Sequence, residues 1–146
     1  MVKAQVSLRV LAKFIDLMFG IFLGLILRYP LGPVVGFLYT LLGDALPFGP
    51  FYGQSLGKKL VGLKIQDLKT RKEGVHWRQS ALRNLPIGVV TFFGMIPFWG
   101  WIIALFLGFP ILGVEIYLML KNEKGHRFGD VLGQTQVIQV EEADVS

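Results

Sequence analysis

The sequence contains no cysteine. That excludes disulfides, thiolate metal sites and thiol catalysis. Histidine is nearly absent as well. His76 and His126 sit in polar loops with no matched carboxylate spacing, so no metal and no cofactor is expected. There is no Ser-His-Asp order and no His-Glu pair, and no enzymatic activity is expected. Neither an internal repeat nor a low-complexity tract stands out. Charge is sparse too, at 17% of 146 residues. What remains is apolar: 53% of the residues are hydrophobic and mean hydropathy is +0.55. Such a balance points to a bilayer.

Hydrophobic runs and their breakers predict four spans, at about 8–27, 31–48, 81–98 and 101–120. Pro30, Gly32 and Pro33 separate the first two, and Pro97-Phe98-Trp99-Gly100 splits the long run after Leu82. Pro110 leaves open a half-helix over 109–120, packed inside the protein. The start reads as a retained span, because Asp16 interrupts its apolar core and no small-residue cleavage motif follows. Between Lys58 and Arg83 stand eight Lys or Arg against Asp67 and Glu73. Positive residues mark the cytosolic side, which places Lys3, loop 49–80 and tail 121–146 there. Only an even number of spans between them satisfies this, so both termini should be cytosolic.

Alternation at Leu63, Ile65 and Asp67 predicts a half-buried strand, with Val75 to Trp77 as a second one. TQVIQV in the tail predicts another, suited to pair with the strand around Ile65. Ser55 is placed to cap a helical turn over 55–60. The expected fold is an all-α membrane protein: a four-helix transmembrane bundle with a small cytosolic β element, one domain over 1–146.

Seven ionisable residues are candidates for one site. Arg9, Lys13 and Asp16 lie within about 60° of one another on the first span, at 100° per residue. Asp44 ends the second span, Arg83 starts the third beside Asn84, and Glu115 lies late in the fourth. All fall in the cytosolic half, with Arg28 alone near the other side. Two readings stand side by side. The carboxylates neutralise the cations and fix helix register, or Asp16 forms an ion or proton site with Glu115 or Asp44. Asp130, in HRFGDVLGQTQVI, is either a turn residue or a counter-charge to a base such as Arg9. GQSLGKK at 53–59 falls short of a phosphate loop, having three residues between its glycines and Lys59 after Lys58. Lys58 and Lys59 are instead expected to touch anionic lipid as point charges.

Arg9, Asp16 and Asp130, with GQSLGKKLVGLKI (53–65), WRQSALRN (77–84) and the closing GDVLGQTQVI, resemble the RDD family of small bacterial membrane proteins. The family is named for one Arg opening the first helix, an Asp within it and a later Asp. The resemblance runs nearly the whole chain in order. It implies an integral membrane protein with a transport role and an undefined ligand, and it adds weight to Arg9, Asp16 and Asp130 but not to Lys13, Asp44 or Glu115.

The functional expectation is therefore a multi-pass protein of the inner (cytoplasmic) membrane that moves a small ion or solute, proton- or cation-coupled through Asp16. A homo-oligomer is expected, because four short helices enclose little volume. The alternative is an accessory or scaffold protein that binds anionic lipid or a protein partner through its basic cytosolic face. Nucleic acid is not expected, since the basic residues lie between hydrophobic spans.

Overall fold

A computed structural model describes residues 2–46, 53–122 and 125–139. Strand β1 (Val2–Lys3) leads into helix α1 (Val6–Ile26). A turn with a cis Tyr29–Pro30 peptide precedes α2 (Leu31–Leu42), which tightens into a 3-10 turn at Gly43–Ala45. Then come α3 (Leu56–Leu60) and strand β2 (Leu63–Asp67). Helices α4 (Trp77–Gly94) and α5 (Trp99–Lys121) follow, and α6 (Phe128–Gly133) and strand β3 (Thr135–Gln139) close the described chain.

The protein is thus mostly helical with a small sheet. The expected four apolar stretches are all helices, although the second is helical only to Ala45 and its expected end at 47–48 lies outside the described residues, as does the tail from 140. By length, hydropathy and charge together, Trp99–Lys121 is the one described helix that passes as a membrane span, with mean hydropathy 2.2. Helix α1 is long enough but carries Arg9, Lys13 and Asp16. The break at Pro97 to Gly100 is as expected, with Phe98 at φ 59° and α5 starting at Trp99. Pro110 sits inside α5 without dividing it, so 109–120 is no separate half-helix.

Helices α1 and α2 run side by side, α2 packs on α4, and α4 packs on α5. Small residues bring α1 and α2 into backbone contact. A Cβ on Gly32 would overlap the Gly24 carbonyl, and one on Gly36 would lie 2.9 Å from the Gly20 oxygen.

The sheet has the order β1-β3-β2, both pairings antiparallel. The tail strand pairs with β2 as its alternation predicts, with Ile65 opposite Val137 and Asp67 opposite Thr135. Val75 to Trp77 forms no strand. Trp77 opens α4, and the return to β2 is one bridge between Gln66 and Glu73. Leu63 and Val137 pack with Ala4 and Ala12 into a small apolar core, which seats the sheet under the first turns of α1.

The rest of the molecule is inside out. Leu25 is 79% and Phe106 74% exposed, whereas Arg83 and Asp130 are fully buried at 0%. Apolar side chains cover the outer faces of α1 and α5, and charge fills the space between helices.

Candidate functional site

The buried charges form one network at the sheet end of the bundle. Asp130 is its centre. As the third residue of α6, it accepts the backbone N–H of Arg127 at 3.3 Å, which anchors the helix start. Its Oδ1 also accepts from Arg83 Nη2 at 2.9 Å and Arg127 Nε at 3.2 Å, and its Oδ2 takes the Arg9 guanidinium. Arg9 donates in addition to the Gly125 carbonyl. Burial alone would raise the Asp130 pKa, but Arg83, Arg127 and Arg9 outweigh it and hold the carboxyl well below the usual range.

Arg127 reaches further. It donates to Glu115 at 3.2 Å and to Asn84 Oδ1 at 3.3 Å. Burial works against its charge, yet Asp130 and Glu115 more than offset that and push its pKa up. Asn84 also accepts from Lys13 Nζ at 3.2 Å and donates to Asp44 at 3.0 Å. Asp44 is paired with Lys58 and lies 3.4 Å from Arg83 Nε. The Lys58 ammonium is pushed down by burial, which the attraction of Asp44 only partly opposes.

Asp16 is held differently. Its carboxylate accepts from the Tyr39 hydroxyl at 2.9 Å, the Ser55 hydroxyl at 2.5 Å and the Gly57 backbone N–H at 2.8 Å. Among the described residues it makes no ion pair. It fastens α1 to the start of α3, where a Cβ on Gly57 would overlap the Ala12 carbonyl. Ser55 therefore spends its hydroxyl on Asp16 and makes no side-chain cap to α3. Lys13, Asp16 and Asp44 line a crevice of about 10 Å³, roughly the room of one water.

The structure joins Arg9, Asp130, Arg83 and Asp44 directly, attaches Glu115 through Arg127 and Lys13 through Asn84, and sets Asp16 alongside. Asp16 pairs with neither Glu115 nor Asp44. Lys58 departs from expectation. It points inward onto Asp44 and is only 7% exposed, because α3 lies against α1 and turns that side chain into the cluster. Lys59, its neighbour, is exposed. Sequence reasoning missed Arg127, which lies in the basic tail, and Tyr39, which sits in an apolar helix. The signal for Arg127 was its place three residues before Asp130, the spacing of a helix-start pair.

The RDD family model matches residues 3–134. The chain belongs to the RDD family. The Arg and the second Asp matched to the RDD name, Arg9 and Asp130, are ion-paired across nearly the full chain, and Asp16 stands about two helix turns further along α1. No curated protein and no solved structure matches. Family membership and the apolar helix α5 together suggest that this RDD protein is a membrane protein.

Proposed function

We propose that this RDD protein spans the inner membrane four times, through α1, α2, α4 and α5, with both termini in the cytosol, and that its role is transport of a small ion or solute. The observation that carries the reading is the inversion of burial: ionisable groups inside, Leu, Ile and Phe outside. In water that arrangement would expose a large apolar surface at great cost, whereas in lipid it is the stable one. A cluster of ionisable side chains between spanning helices is the usual mark of a solute path rather than of catalysis. A homo-oligomer would give the path more enclosing wall than one copy has.

Asp16 is the candidate for coupling. It is held by hydroxyl and amide donors, with no arginine bound to it, so a proton or cation could exchange there without breaking an ion pair. The test is flux of protons and alkali cations into proteoliposomes. Asp16→Asn is expected to abolish coupled flux at normal folding and expression. Unchanged flux removes Asp16 from the path.

A second reading has its own support. Lys59, Lys69, Arg71, Lys72 and Arg78 are exposed on the segment that carries β2 and the start of α4. Such a face attracts anionic head groups or an acidic partner. Changing Lys59, Lys69 and Lys72 to Gln is then expected to abolish retention of the partner or of anionic lipid during purification at low salt. Retention that survives the triple change overturns this reading.

A further inference from the structure

Helices α1 and α5 flank a cavity of about 170 Å³ beside the charged network. Its inner end is lined by Arg9, Lys13, Lys58, Arg83 and Arg127, with Glu115 as the one carboxylate. Its outer walls are Phe14 and Leu17 of α1 and Leu112 and Ile116 of α5. Phe14 and Leu112 are 58% and 40% exposed, so the mouth lies on the apolar outer surface of the bundle. From Arg9 to Leu17 the cavity wall runs about 12 Å along α1.

Two features of the inner end are incomplete. Lys13 makes no ion pair with any described residue and bonds only to the neutral Asn84. Arg83 is fully buried, and its Nη1 has no hydrogen-bond partner. Buried donors of a cation left unpaired are expensive. The charge count has the same sign. Five cations (Arg9, Lys13, Lys58, Arg83, Arg127) stand against four carboxylates (Asp16, Asp44, Glu115, Asp130), and 5 − 4 leaves one positive charge. Glu115 Oε1 is also unpartnered and faces the other way in this balance, as an acceptor. A phosphate monoanion, which keeps one P–O–H beside its negative charge, would satisfy it, whereas a carboxylate head would leave it to water.

We propose that this cavity binds the acidic head of a single-chain anionic amphiphile, with its acyl chain lying between α1 and α5. One negative head group brings the cluster to neutrality, with Lys13 and Arg83 as its recognising cations. A bare anion would leave the apolar walls empty, and a neutral chain would leave the cations unpaired. This site is separate from the exposed basic face, and binding to it requires no transport.

Calorimetric titration of the whole chain in neutral maltoside tests it. The probes are dodecanoate, dodecyl phosphate, dodecanol and inorganic phosphate. At least one of the two acidic chains is expected to bind tenfold or more tightly than either dodecanol or inorganic phosphate. The tighter of the two identifies the source, a fatty acid or a single-chain phosphate lipid. Lys13→Gln is expected to weaken binding about tenfold, and Ile116→Trp to abolish it by filling the cavity, both without loss of helical circular dichroism. Equal binding of dodecanol, equal binding of inorganic phosphate, or undiminished affinity in folded Ile116→Trp overturns the proposal.

Discussion

At the scale of single residues, Asp130 holds the site together. Three guanidinium groups from three elements converge on its carboxylate, so its removal leaves Arg9, Arg83 and Arg127 facing one another. Asp130→Ala should therefore destabilise by about 3–5 kcal/mol, the range for breaking a buried ion pair, read as a fall in melting temperature in detergent. The pH dependence follows from its depressed pKa. An unfolded Asp titrates near pH 4, so the stabilisation is complete above about that value and is lost as pH falls through the lower folded pKa. Melting temperature against pH should drop more steeply below pH 4 in the wild type than in Asp130→Asn. Parallel curves would show that other carboxylates govern acid unfolding.

At the scale of elements, the helix break at Pro97 to Gly100 and strands β2 and β3 were legible because their signals are local, whereas β1 was not foreseen and Val75 to Trp77 formed no strand. Pro97 to Gly100 interrupts any helix, and the period of two in β2 and β3 shows which side chains face the core. The ion pairs were legible only as alternatives or not at all, because they join distant residues. Arg9 stood out as part of the charged stripe on α1. Asp130 was readable as its counter-charge only beside a plain turn reading, and the structure decides for the ion pair. Nothing in the tail indicated that Arg127 would reach Glu115 on α5. Lys58 and Lys59 show the limit plainly. Adjacent residues on a helix lie about 100° apart, so one must face in and one out, and the sequence does not say which. What decides it is the seat of α3 against α1. Gly57 allows that seat, and Gly57→Val should push α3 away, breaking the Asp16 contacts and freeing Lys58. The check is the substitution Lys58→Cys. Its thiol should stay unreactive to a charged maleimide while Gly57 is kept, and become reactive once Gly57→Val is added. A thiol still unreactive in that double variant would mean that α3 is held by other contacts.

At the scale of the whole molecule, the proposed topology puts the α1–α2 turn and the β2–α4 segment on opposite sides. Tyr29 and Thr70 are both exposed. Tyr29→Cys should label with an impermeant maleimide only from outside intact cells, and Thr70→Cys only after the inner face is opened. Labelling of both from one side would remove the four-span arrangement while leaving the fold as described. A single sheet of order β1-β3-β2 pairs the first and the last described strands beneath the helices, so this layout needs no long excursion between them.

That closure also sets an order in time. A ribosome makes Arg9 first and Asp130 more than a hundred residues later. In the proposed bilayer arrangement, the arginines of α1 and α4 lack Asp130 until α6 emerges, and their half of each helix is costly to place in lipid before then. That arrangement would keep this end of the bundle wet, against water or the insertion machinery, through most of synthesis. The arrival of Asp130 would then tie the three arginines together from below.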